Sequence, residues 1–411
     1  MVMKHVSAPW DEAFSAHMRF DMNTFFTSLQ MRLGDAKAGF RGGRIQVCQP
    51  PISTSPPKFS LRNRYFFCNS IIQLITLDTT VSRILTEIKE ENWMLPLVLA
   101  TAIDLRRFAH GLDAKAVSNT NQLGRGHGRH METAAQLILR LFQICASDSR
   151  TQMDDSKKLG MMGLANQLFK IYFQINKLNL CKPMIRAIEN MNINDRFSLA
   201  QRVTYSYYVG RKAMFDGDFV SADKSLSFAF ERCLGSAWHN KRLILIYLIP
   251  VKMLLGVFPY PSLLVKYNLN EFLGISDAAK YDYSISSPLS SHCRAGNLQK
   301  MDMELNKYEE FFLSCGVYLI LEKLKLITYR NLFKKVCAIM KTHLMPIEVF
   351  TAALRLMGVE DIDQDETECI LANLIYEGKI KGYLAHQQQK LVVSKLQAFP
   401  ALTAAMTTMT R

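Results

Sequence analysis

From Leu74 to about Asn268, apolar residues recur at three- and four-residue spacing. The pattern is plain in Val81, Leu85 and Ile88, in Ala134, Leu137 and Leu141, and in Leu164, Leu168, Tyr172 and Ile175. That period puts the apolar positions on one face of a helix. The connectors are short and polar, as at Asn190–Phe197 and Gly235–Asn240, and β-branched alternation is nearly absent. The pattern predicts a stack of antiparallel helices. Tyr207–Phe230 shows its unit: a helix with Tyr207, Gly210 and Ala213, a turn at Asp216-Gly217-Asp218, and a helix with Phe219, Ala222, Leu226 and Ala229. Small residues let the two helices approach closely, as in tetratricopeptide-like hairpins. There is no strict repeat, so the prediction is a degenerate solenoid.

The last part changes character. The spacing predicts a helix over Ile327–Met340, with Leu332, Val336 and Ile339 on one face. Pro346 opens a second helix, Ile347–Met357, which Gly358 ends. Asp363 or Asp365 caps a third, Glu366–Tyr376, with Cys369, Leu371, Leu374 and Ile375 buried and Gly378 as its stop. Two short strands follow, Ile380–Leu384 and Lys390–Ser394. Three helices and then a β-hairpin is the order of a winged helix.

Two stretches break the pattern. Leu33–Ser70 holds GFRGGR and QPPISTSPPKFS, and Ser276–Cys293 is polar and Ser-rich. Both read as disordered insertions or long loops. The expected organisation is a partial helical repeat at 1–32, an insertion at 33–73, a solenoid at 74–318 interrupted at 276–293, a winged helix at 319–397 and a disordered tail at 398–411.

The chain has 411 residues and a net charge of +14, which favours a polyanionic partner. The charge is uneven: +6 over residues 1–150, +7 over 151–275 and +1 over 276–411. The longest apolar run, Leu243–Val257, is broken by Pro250 and Lys252 and is too short to span a bilayer. The N-terminus has no apolar signal-peptide core, so secretion is not expected. Nine scattered cysteines without C-x-x-C read as reduced thiols, with Cys145, Cys233, Cys315 and Cys337 in apolar helical contexts. No catalytic motif stands out. Gly124–His130 (GRGHGRH) lacks the spacing and the preceding strand of a phosphate loop, and His127 and His130 have no further ligands at metal spacing. No cofactor or metal is expected.

The winged helix carries basic residues that suit a nucleic-acid surface or an ordinary solvated face, and the two readings stand level on the residues alone. Lys323, Lys325, Arg330, Lys334, Lys335 and Lys341 lie in and around its first helix, and Lys379, Lys381, Lys390 and Lys395 in or beside the hairpin. Such side chains neutralise phosphates without reading bases. The third helix carries Glu366, Glu368 and Glu377, with only Asn373 as a base reader, so sequence-specific recognition is not expected.

Specific strings then point to a family. KEENWMLP (Lys89–Pro96), RLFQICASDSR (Arg140–Arg150), QRVTYSYYVGRKAMFDGDF (Gln201–Phe219) and KRLILIYLIPVKMLLG (Lys241–Gly256) closely resemble the PCI domain-containing protein 2 family. So do Asp155–Glu189, Phe311–Val336, Glu368–Lys395 and, upstream, WDEAFSAHMR (Trp10–Arg19). Helices before Trp10, usual in the family, are missing, and Leu33–Ser70 and Ser276–Cys293 have no counterpart. The resemblance implies an all-α solenoid ending in a winged helix, a PCI domain, with a small β-hairpin wing. It implies a non-enzymatic subunit of a nuclear complex that couples transcription to messenger-RNA export at nuclear pores. It also implies two protein partners: a large scaffold of the germinal-centre-associated nuclear protein type, and a small acidic protein shared with the proteasome lid. Their docking region would include Tyr318, Leu319, Ile320, Leu324 and Leu326, an apolar run most of which should be core, while Lys157, Lys158, Lys170, Arg202, Arg211, Lys212, Lys241 and Arg242 would attract the acidic chain or serve as ordinary surface and helix-end charges. A proteasome-lid or signalosome-like subunit would share this architecture.

Overall fold

A computed structural model of the chain describes residues 94–119, 128–150, 154–191, 193–279, 298–359 and 361–402, with Ser82, Arg83, Leu85, Thr86 and Asn92 upstream. The segments at 1–32 and 33–73 lie outside the described residues.

The helical period folds as predicted. Helices α1 (Leu95–Asn119), α2 (Arg129–Ala146), α3 (Met161–Gln174), α4 (Cys181–Glu189), α5 (Leu199–Asp216), α6 (Phe219–Arg232) and α7 (Trp238–Leu254) pack largely on their neighbours in sequence. That is a tetratricopeptide-like solenoid. In the α5–α6 hairpin, a Cβ on Gly210 would lie 2.6 Å from Leu226 Cγ and 3.1 Å from its backbone nitrogen, so only glycine permits this approach. Gly217 turns the chain at φ 87°, and the Asp218 carboxylate accepts from the Ser221 N–H at 3.0 Å to start α6. α7 runs through Pro250 and is buried from Ile244 to Val251. Among the described residues no helix is long and apolar enough to cross a membrane. The end of the GRGHGRH string is a helix start: the Asp113 carboxylate accepts from the backbone N–H groups of His130 and Met131, at 3.3 and 3.1 Å. Residues 124–127 lie outside the described set.

Short helices α8 (Pro261–Lys266), α9 (Leu273–Ala279), α10 (Leu298–Lys307), α11 (Glu309–Cys315) and α12 (Tyr318–Glu322) lead to α13 (Leu324–Met340). β1 (Leu344–Pro346), α14 (Ile347–Leu356), α15 (Gln364–Tyr376), β2 (Gly382–Ala385) and β3 (Lys390–Val393) complete the winged helix. The wing is antiparallel in the order β1-β3-β2. Its first strand is missed by pattern reading because it has three residues and ends in proline, which an edge strand tolerates. Asp363 is the cap of α15, accepting from the Glu366 N–H at 2.7 Å.

Two cores share one helix. Leu324 and Ile327 at the start of α13 belong to the solenoid core. Leu332, Phe333 and Val336 belong to a second core with Met345, Phe350, Leu371, Leu374 and Leu391. The solenoid therefore does not end at residue 318; its packing continues into the first helix of the winged helix.

Three other expectations change. The interruption does not begin at Ser276, because Ser276, Ala278 and Ala279 are buried in α9; residues 280–293 lie outside the described set. Cys369 is exposed rather than buried, as is Ile339, because both turn away from the second core. Residues 398–402 are not a loose tail. The Lys381 N–H donates to the Ala398 carbonyl at 2.8 Å, Pro400 is buried, and Leu402 packs against Gly256 at the end of α7. This strap ties the winged helix back to the solenoid.

Candidate nucleic-acid interface

The described winged helix sorts the ten candidate cations into three groups. Lys323, Lys341, Lys381 and Lys395 are exposed. Lys325, Lys334, Lys335 and Lys390 are half-buried. Arg330 and Lys379 are buried, at 5% and 9% exposure.

The two buried cations are corrections. Arg330 donates to the Pro400 carbonyl at 2.6 Å and to Asn331 Oδ1 at 2.9 Å, and its guanidinium lies 5.8 Å from the centre of the Phe399 ring. Asn331 in turn donates to the Ala279 carbonyl at 2.9 Å. Arg330 thus clamps strap, winged helix and solenoid together, and a phosphate cannot reach it without displacing the strap. Lys379 contacts the Glu377 carboxylate. Burial, then the charges of Arg330 and Lys323, pull its pKa down to about 8. Lys325 is spent on an ion pair with Asp302 at 2.8 Å. Burial opposes its charge, but Asp302 outweighs burial and holds its pKa above the ordinary value.

The depressed pKa of Lys379 gives a pH signature. Between about 8 and the ordinary 10.5, the unfolded chain holds a proton that the folded chain has released. Stability from this group therefore rises with pH through that window, and its cost is complete below about 8. Lys379→Met relieves that cost but loses the Glu377 contact, so it is expected to stabilise the fold by at most about 1 kcal/mol at pH 7, a gain that fades as pH rises toward 10.5. Thermal melts of both forms across pH 7–10.5 check it.

What remains for a polyanion is a ring of lysines around the wing. Residues 323–347 and 378–402 contain no carboxylate in either segment. The nearby Glu368 is occupied by His386, whose Nδ1 lies 2.8 Å from Oε2.

The solenoid cations mostly serve the fold. Lys157 is buried and donates to the Leu85 carbonyl, and Lys212 is buried against Asp216 at 2.6 Å. Arg211 is held among aromatic rings, 4.1 Å from the centre of Tyr247 and 4.6 Å from that of Phe173. Lys241 stacks on Phe230, Arg242 donates to the Asn268 carbonyl, and Arg202 pairs with Asp195. Lys158 and Lys170 are half-buried.

Of the five partner candidates, Ile320 and Leu324 lie in the core, as expected for most of the run, which removes them as docking residues. Leu326 packs on the second core and Tyr318 on the first. Leu319 is 69% exposed. Periodicity missed Phe215, which is exposed and lies against Gly316, three residues before Leu319.

A family model for the PCI domain matches residues 305–395, from α10 through the wing. The chain is 53% identical to PCI domain-containing protein 2 of Danio rerio over 317 residues, covering 77% of this chain and 75% of the relative. It is 47% identical to the homologue in Drosophila melanogaster, over 79% and 77% of the two chains. It is 31% identical to Protein CSN12 homolog of Mycosarcoma maydis, over 76% and 70%. The matches extend well beyond the PCI module into the solenoid, and on them the chain belongs to the PCI domain-containing protein 2 family.

Proposed function

We propose that this protein is a non-enzymatic scaffold and nucleic-acid-binding subunit of a nuclear complex that couples transcription to messenger-RNA export at nuclear pores. The observation that carries the nucleic-acid part is the wing: Lys341, Lys381 and Lys395 are exposed around it, Lys390 lies on it, and no carboxylate interrupts 323–347 or 378–402. A few phosphate contacts from one winged helix give weak, salt-dependent binding, which a second basic module on a partner would strengthen. The proposed protein partners are a large scaffold subunit of the germinal-centre-associated nuclear protein type and a small acidic protein shared with the proteasome lid. Leu319 and Phe215 offer exposed apolar surface near the solenoid–winged helix junction for one of them.

A second reading, a structural subunit of a signalosome- or proteasome-lid-like assembly, draws on the relative named Protein CSN12 homolog. Affinity purification of the full chain from nuclear extract, followed by mass spectrometry, separates the two. The first reading expects the export scaffold and the small acidic protein. Recovery of signalosome or proteasome-lid subunits in place of the scaffold would overturn it.

A further inference from the structure

The wing has two faces with different work. Met345, Leu391 and Leu384 point into the second core. Directly opposite residues of an antiparallel sheet share a face, and successive residues alternate faces. Leu344 pairs with Val392, and Val392 pairs with Tyr383 on its other side. These three therefore form one row across all three strands on the outer face. Tyr383 is 63% exposed and Leu344 56%, and Val392 between them is half-buried. The next rung of the same face is Pro346, Lys390 and Ala385.

The row is too small for a protein interface, which needs roughly 800 Å² from each partner. It is the right kind of surface for an unpaired base: an exposed aromatic ring on a rigid strand, apolar neighbours, and phosphate-binding charge one rung away. Lys390 lies on the face itself, Lys381 precedes β2 and Lys395 follows β3. Every charged residue from 378 to 402 is a lysine.

We propose that the outer face of the wing binds single-stranded RNA, with Tyr383 stacking on one base and Lys390, Lys381 and Lys395 meeting the adjoining phosphates. The proposal rests on the nucleic-acid reading above and adds to it a preference for unpaired strands. Stacking needs a free base face, which a duplex does not offer, and it tolerates any base identity. It also carries no counterion release, so it contributes affinity without salt dependence.

The test uses the full chain and fluorescein-labelled oligouridine, with an RNA duplex of equal length as the second probe, by anisotropy across a salt series. Tyr383→Ala is expected to weaken binding to the single strand about tenfold, leaving the salt slope and the duplex affinity unchanged. Tyr383→Phe, which keeps the ring, is expected to bind as the parent does. A Tyr383→Ala chain that binds the single strand undiminished would overturn the proposal. So would an equal loss on both probes, or loss of a protein partner with RNA affinity intact. Absence of salt-dependent RNA binding by the parent chain would overturn the nucleic-acid reading itself, and the wing proposal with it.

Discussion

Ending the chain after Gln397 is expected to lower its stability by about 3–5 kcal/mol, while ending it after Leu402 leaves the strap in place. The difference is the strap. Without residues 398–402, Arg330 loses the Pro400 carbonyl and the Phe399 ring that cover it and keeps the Asn331 side chain. A hydrogen bond to a charged group contributes about 1.5–3 kcal/mol, and the apolar surface that Phe399, Pro400 and Leu402 bury adds a similar amount. The Lys381 N–H loses its acceptor, and the face of Gly256 loses Leu402. Chemical denaturation of the two truncated chains measures the gap. Limited proteolysis should cut the shorter one sooner near the junction. Equal stability of the two would show that Arg330 finds another partner at little cost.

The second large effect is at Gly210. Gly210→Val is expected to cost about 3 kcal/mol or more, because the new atoms must occupy the space of Leu226 Cγ and of its backbone nitrogen. The backbone cannot withdraw as a side-chain tip can, so α5 and α6 must separate. Gly210→Ala makes the same clash with one atom, partly offset by about 1 kcal/mol of helix propensity. Gly217→Ala is the control. Nothing lies within 4 Å of a Cβ there, so only the strain at φ 87° is felt, about 1–2 kcal/mol. Thermal unfolding of the three variants gives the order, and a Gly210→Val chain as stable as the parent would remove close approach as the reason for glycine.

These two sites also show what a sequence can reveal. The Gly210 hairpin was legible because close packing, a turn and a cap all lie within one stretch, Tyr207–Phe230. The winged helix was legible for the same reason, since its helix stops at Gly358 and Gly378 are local. Arg330 was not. Its burial comes from Pro400, 70 residues away, and no periodicity in α13 registers a strap laid across it. Lys379 looked like a hairpin lysine, but it is buried beside that same clamp. That most of the apolar run around Ile320 and Leu324 is core was legible, but an apolar run does not say which member meets solvent; only Leu319 among the run's first three points outward. Tyr383 was missed because its row exists only across strands, and one of them, β1, was too short to see.

If exposed lysines around the wing bind nucleic acid through its phosphates, binding must weaken with salt. Each lost contact to a single strand should reduce the salt slope of binding by about 0.7. The most direct measurement is the affinity of the full chain for single-stranded RNA against salt concentration, with and without Lys341→Glu, Lys381→Glu and Lys390→Glu together. The triple variant is expected to bind more weakly, with a salt slope shallower by about 2 and its melting temperature and protein partners retained. A triple variant with the parent's affinity and slope would contradict phosphate binding by these lysines.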